Sequence, residues 1–137
     1  MDPRLPWNPA ARSIVLLVDE REEARALAAL TLSASGFDIM AAQGAPDART
    51  RASAVRPDVI VVHLPTSDGD GFHLLRDLHA DPHTRDVPLV AIVGRNHGLV
   101  RQRAATEGIS AVFVDAAVPD DLGAVLRRVL DRNPGRN

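Results

Sequence analysis

The residues with most chemistry to offer in this chain stand where short apolar runs end. Asp19 and Glu20 follow Ile14–Val18, His63 closes the run that begins at Val59, and Asp115 follows Ala111–Val114. A fourth run, Leu89–Val93, ends on Val93 and Gly94 with no polar side chain. An imidazole near several carboxylates can form ion pairs or hydrogen bonds, and it can ligate a metal. Other chemistries are missing. There is no cysteine, which removes disulfides, thiolate metal sites and cysteine nucleophiles together. All 16 basic residues are arginines, so no lysine ammonium is available anywhere. The remaining histidines, His73, His79, His83 and His97, are scattered and read as solvated, and Thr66–Gly69 reads as a turn. No Ser-His-Asp set, Gly-rich phosphate loop or His-x-x-x-His pair stands out.

The elements that must position these residues follow from hydrophobic patterning. Strands are expected at Ile14–Val18, Phe37–Ala42, Val59–His63, Leu89–Val93 and Ala111–Val114, each short, aliphatic and bounded by Gly, Pro or Asp. Helical patterns lie between them. Ala24, Leu27, Ala28 and Thr31 share one helical face before Gly36. Asp47–Val55 is a weak helix closed by Pro57. Phe72, Leu75 and Leu78 define a third, and Val100, Ala104 and Glu107 a fourth before Gly108. In the last, Leu122, Val125, Leu126, Val129 and Leu130 follow helical spacing, with Pro119 near its start and Asp120 and Asp121 in its first turn. Aromatics are limited to Trp7, Phe37, Phe72 and Phe113, so the core must be Ala, Val, Leu and Ile. Five strand–helix units imply an α/β, (βα)5 doubly wound fold of flavodoxin-like type. Its parallel five-stranded sheet has order 2-1-3-4-5, and ligands bind beyond the strand ends between strands 1 and 3. The division expected is an N-terminal arm over 1–12, one domain over 13–132 and a tail over 133–137. The net charge of −2 comes without any basic block, so nucleic acid is not an implied partner. The longest apolar run among the first thirty residues is too short for a signal or a membrane span, and a cytoplasmic protein is expected.

Several stretches fall into one register with a known family. Val15-Leu16-Leu17-Val18-Asp19-Glu20, Arg56-Pro57-Asp58 with Val59–Val62, Asp70-Gly71-Phe72 and Asp81–Pro88 resemble the receiver domain of bacterial two-component response regulators over residues 13–132. That resemblance implies an acidic pair holding Mg²⁺, a phosphoacceptor Asp ending strand 3, a hydroxyl ending strand 4 and a Lys ending strand 5. A dianionic phosphoryl group needs such cations and donors around it. Here the acidic pair corresponds to Asp19 and Glu20, while His63 stands at the acceptor position, Val93 at the hydroxyl position and Asp115 at the lysine position. Val112 replaces the aromatic residue that commonly rotates on activation. The chain thus resembles a degenerate, or pseudo-receiver, member.

Three uses of Asp19, Glu20, His63 and Asp115 are compatible with these residue types. His63 can pair with the acids and stand in for metal and lysine, with its pKa raised by them. Asp19, Glu20 and His63 can hold Mn²⁺, Zn²⁺ or Fe²⁺. His63 can itself accept a phosphoryl group. The expected function is a stand-alone, non-enzymatic signalling module without a cofactor, acting by phosphorylation-independent contact with a histidine kinase, response regulator or transcription factor. The alternative is a small metal-binding or enzymatic domain built on Asp19, Glu20, His63 and Asp115. A face of helix 4, strand 5 and helix 5, carrying Arg101, Arg103, Asp120, Asp121, Arg127 and Arg128, is a candidate for homodimerisation or partner contact.

Overall fold

In the computed structural model, which describes residues 12–64, 72–94, 97–115 and 121–132, strands and helices alternate along the chain. The strands are β1 (Ile14–Val18), β2 (Asp38–Ala42), β3 (Val59–His63), β4 (Leu89–Val93) and β5 (Val112–Asp115). The helices are α1 (Glu22–Ala34), α2 (Ala45–Ala54), α3 (Phe72–Ala80), α4 (His97–Thr106) and α5 (Leu122–Asp131). All pairings are parallel and the strand order is β2-β1-β3-β4-β5, as the patterning predicts.

Strand alternation divides the core into two layers. Leu16, Val18, Ile60, Val62, Ala91 and Val93 face α2, α3 and α4, where Ala48, Ala52, Leu75, Leu78 and Val100 cover them. Val15, Leu17, Val59, Val61 and Val90 face α1 and α5, where Leu32, Val125, Leu126 and Leu130 cover them. Both faces of the central strands are dry, which is why β1, β3 and β4 read as unbroken aliphatic runs. The alanines of α2 let that helix lie close to the sheet. A third cluster of Phe72, Ala104 and Ile109, with Phe113 against it, ties α3, α4 and β5 together.

The element ends differ from the expectation where backbone hydrogen bonds decide them. Phe37 is expected in β2, yet its N–H donates to the Leu32 carbonyl (3.2 Å) while Gly36 N–H donates to Ser33 (3.1 Å). This wrap closes α1, requires the left-handed φ of 102° at Gly36 and delays the strand to Asp38. Arg12, counted with the arm on composition, reinforces the same corner. Its guanidinium donates to the carbonyls of Ser33 (2.8 Å), Gly36 (3.1 Å) and Phe37 (2.9 Å). Residues 1–11 and 133–137 lie outside the described residues.

The phase of α1 is also corrected. Leu27 is 67% exposed and Leu30 71%, and Thr31 is exposed, whereas Ala28, Ala29 and Leu32 pack inward. The small alanines bring the helix close enough for Leu32 to reach the core, and that rotates Leu27 into solvent. α2 begins at Ala45, two residues before the expected start, with Pro46 in its first turn, where its missing N–H is no loss. Glu107 falls beyond the end of α4, and β5 is shifted by one residue so that Asp115 is its last member rather than the residue after it. Asp121 is the N-cap of α5, its carboxylate accepting from Ala124 N–H (3.4 Å), and not a first-turn residue. Pro119 and Asp120 lie outside the described residues.

Truncating Leu126, which is fully buried between α5 and the sheet, is expected to cost about 2–5 kcal/mol. Leu27→Ala should change stability by no more than about 0.5 kcal/mol. Urea unfolding of the two variants checks both values, and comparable losses would overturn this assignment of the α1 face.

Candidate functional site

The carboxyl ends of β1, β3, β4 and β5 lie along one edge of the sheet, and the register sets their spacing. Val18 pairs with Val62, His63 with Ile92 and Val93 with Asp115. Asp19 therefore follows β1 directly beside His63, while β4 lies between His63 and Asp115. With adjacent strands about 4.8 Å apart, that separates the backbones of His63 and Asp115 by roughly 10 Å.

Asp19 is the buried charge of the site, at 4% exposure. A carboxylate in that position needs an opposite charge and several donors. Arg21 supplies both. Its backbone N–H donates to Asp19 Oδ1 (2.9 Å), its Nε to the same oxygen (3.1 Å) and its Nη2 to Oδ2 (3.0 Å). Arg25 donates from Nη1 to the Asp19 carbonyl (2.7 Å). Every oxygen of Asp19 thus accepts from an arginine. Burial by itself pushes the carboxyl pKa up, but the Arg21 side-chain and backbone hydrogen bonds, with the charges of His63 and Arg21, hold it below the usual 3.8.

His63 is half-buried, and its pKa moves opposite to the expectation. Burial disfavours the imidazolium, the Arg21 guanidinium repels it, and Asp19 offsets only part of this, so the ring titrates below its ordinary 6.5. The carboxylates are legible in the sequence, and so is Arg21 two residues beyond Asp19, but the direction of the Arg21 side chain is not. No ion pair or hydrogen bond joins His63 to a carboxylate among the described residues. Asp19 is the carboxylate whose charge acts on it. Glu20 is exposed and borders a shallow depression with Gln43, Gly44, Pro46 and Asp47, on the α2 side. Val93 is buried. Among the described residues no three His, Cys, Asp or Glu side chains are grouped to hold a metal ion.

The expected charged face is dispersed. Arg101 stacks over Phe113 (5.3 Å to the ring centre) and Arg103 over Phe72 (4.2 Å), both on the α4 side. Arg127 instead lies over Phe37 (4.7 Å) and donates to the Ser35 carbonyl, beside the end of α1. Arg128 and Asp121 are exposed on α5.

The structure also shows a Ser–His–Asp alignment that sequence reading missed, because its members come from two separated segments. Ser53 Oγ lies 3.5 Å from His83 Nε2, and His83 Nδ1 lies 3.2 Å from Asp81 Oδ1. Asp81 also accepts from the His83 N–H (2.8 Å) and pairs with Arg49 (3.5 Å). The His83 backbone hydrogen bond above all sets the Asp81 carboxyl below its usual pKa; burial opposes it, and the His83 side chain and the Arg49 charge add to the lowering. Ser53 sits in the last turn of α2, where a helix presents carbonyls rather than N–H donors to an oxyanion. The 3.5 Å contact is at the limit of a hydrogen bond. The alignment fits a surface link between α2 and the α3–β4 loop better than a nucleophile.

Residues 15–131 match the profile of the family described as "Response regulator receiver domain". Among curated proteins, the phosphate regulon transcriptional regulatory protein PhoB of Escherichia coli is 24% identical over 118 residues, which cover 86% of this chain and 52% of PhoB. The response regulator PleD of Caulobacter vibrioides is 33% identical over 78 residues, covering 57% of this chain and 17% of PleD. The chain thus spans about half the length of PhoB, or less of PleD. Among solved structures, the chemotaxis protein CheY4 of Vibrio cholerae superposes with a TM-score of 0.73 at 23% identity, covering 87% of this chain and 99% of CheY4. A CheY-like receiver domain protein of Methanospirillum hungatei gives 0.76 at 16% identity, covering 93% and 100%. At such identities the superpositions establish the fold alone.

The lowered His63 pKa makes stability depend on pH in a definite direction. Above the unfolded-state value of about 6.5 the ring is neutral in both states. As the pH falls, the unfolded chain takes up the proton first, so folding stability declines until the folded-state pKa has been passed. Urea unfolding of the wild type between about pH 7.5 and 5 should show this decline, and His63→Gln should flatten it. Removing the guanidinium in Arg21→Gln should raise the His63 pKa in an NMR titration. A fall or no change would contradict the repulsion described above.

Proposed function

Because this chain belongs to the response regulator receiver domain family, we propose that it is a signalling module that acts through protein–protein contact without aspartyl phosphorylation. Receiver domains exchange signals with histidine kinases and other signalling proteins, and this chain takes such a protein as its partner. The observation that carries the reading is His63 at the end of β3, half-buried, with its pKa lowered, beside a carboxylate already paired with Arg21. An imidazole there offers no carboxylate oxygen for an acyl phosphate.

The neighbouring strand ends support the same reading. Val93 closes β4 with a buried aliphatic side chain where a hydroxyl would donate to a phosphoryl oxygen, and Asp115 closes β5 with a negative charge where an ammonium would attract one. Transfer of a dianionic group depends on cations and donors placed in advance, and these two positions supply neither. His63 as an alternative acceptor on its ring nitrogen meets the same deficit. The Mg²⁺ that the family implies does not fit these residues either. Both carboxylate oxygens of Asp19 accept from Arg21 and its carbonyl accepts from Arg25, so a cation would have to displace arginine hydrogen bonds before ligating it.

With phosphorylation set aside, partner binding rests on surface that is constitutively presented. Val112, 42% exposed on β5, and Leu99, 62% exposed on α4, are apolar residues on that surface. Arg101 and Arg103, also on α4, stack their guanidinium groups on Phe113 and Phe72.

Incubation with acetyl phosphate followed by intact-mass analysis is expected to leave the protein unmodified. The quadruple variant His63→Asp, Val93→Thr, Asp115→Lys, Arg21→Ala is expected to gain one phosphoryl group that is labile to hydroxylamine and to alkali, as an acyl phosphate is. A phosphoryl adduct on the wild-type chain at this edge of the sheet would refute the proposal.

A further inference from the structure

We infer that Arg21 is a built-in counter-cation, its guanidinium meeting the Asp19 carboxylate where a divalent metal would otherwise do so, so that this buried charge is held neutralised without any ion. The inference deepens the reading above but rests only on the β1–α1 junction, and it stands whether or not the pocket accepts a phosphoryl group.

The geometry carries it. Asp19 is almost wholly buried, so its charge must be met from within a few ångströms. Arg21 meets it in a fork, with Nε on one oxygen (3.1 Å) and Nη2 on the other (3.0 Å). Such a two-point contact suits a guanidinium and a carboxylate in a way that a lysine ammonium could not reproduce. The Arg21 backbone N–H adds a third bond to Oδ1 (2.9 Å), and because it comes from the same residue it fixes where the side chain starts. Arg25, one helical turn further on, takes the carbonyl oxygen (2.7 Å), which is the remaining atom of Asp19 that a hard cation could use.

Competition favours the arginine. It is tethered two residues from its partner, so closing the contact costs only the ordering of one side chain. A divalent ion arriving from solvent would have to shed tightly held water, displace the fork and then sit beside an unpaired positive charge. The guanidinium itself is partly solvated, the Arg21 side chain being 57% exposed, so removing it opens Asp19 to solvent without emptying the core. His63, whose ring interacts electrostatically with Asp19, then lies beside the opened carboxylate.

The test is a titration of the full chain with Mn²⁺ and Mg²⁺ by calorimetry and by thermal unfolding, in the wild type, Arg21→Ala, Arg21→Gln and the double variant Arg21→Ala/Asp19→Asn. The wild type is expected to show neither heat of binding nor a shift in Tm. Arg21→Ala and Arg21→Gln are expected to bind one Mn²⁺ at least about tenfold more tightly, the size of one lost charge-assisted hydrogen bond, and to gain Tm in Mg²⁺. The double variant should lose that response. If Arg21→Ala is unfolded without metal, refolding on addition of Mn²⁺, seen by circular dichroism, supports the inference, and remaining unfolded in Mn²⁺ counts against it. Arg21→Gln keeps the backbone donor and a neutral side-chain donor. A folded Arg21→Gln that ignores both metals overturns the inference, as does a wild-type chain that binds Mn²⁺ as tightly as the variants. Acetyl phosphate labelling of the wild type separates the two proposals, since an adduct there would sink the functional reading and leave this one standing.

Discussion

A parallel sheet must be covered on both faces, because its crossovers are helices and its central strands have no side that can face water. In this chain that requirement places everything else. Leu16, Val18, Ile60 and Val62 face one helical layer, while Val15, Leu17, Val59 and Val61 face the other. Side chains within the strands are thereby consumed by packing. Chemistry is left to the residues at the carboxyl ends, where the strands run out of partners and the order β2-β1-β3 opens a crevice. Asp19, His63 and Asp115 hold their positions by this rule rather than by any local motif.

At that edge the governing term is the cost of burying the Asp19 carboxylate. The protein meets it with its own arginines, and the consequences spread to the neighbours. A guanidinium close to Asp19 is also close to His63, so the imidazole experiences desolvation and a positive charge together and its pKa is lowered. Asp19 and Arg21 thus form a closed pair beside the His63 ring. Receiver domains whose pockets await a metal and a phosphate are electrostatically unfinished until those arrive. Here the buried Asp19 carboxylate is already met by arginine in the folded chain.

The arginine-only basic composition has a second structural use. Arg101, Arg103, Arg76 and Arg127 lie over the rings of Phe113, Phe72, Phe72 and Phe37 respectively. Planar guanidinium groups can stack on aromatic faces while keeping their edges solvated. With so few aromatics in the chain, the described phenylalanines are capped by charge at the surface and packed by aliphatics beneath. Arg127 belongs to the α1 corner for this reason and not to the α4–β5 side where helical numbering would place it.

Sequence alone determined the five strands, their parallel order and the strand-end residues, because burial on both faces writes itself as aliphatic runs and helix spacing writes itself as periodicity. Boundaries failed where a hydrogen bond outside the pattern intervened, as at Phe37, whose N–H closes α1, and the phase of α1 failed because Leu27 and Leu32 compete for the core and the packing of Ala28 and Ala29 decides between them. The carboxylates and the imidazole of the site were legible as residue types in their positions. Only the tertiary structure decided the sign of the field on His63, since that depends on where the Arg21 side chain folds, and a long flexible side chain carries no periodic signature. The Ser53–His83–Asp81 alignment was invisible for a related reason: it joins a helix end to a distant loop, and proximity across a fold is a property of packing, not of spacing along the chain.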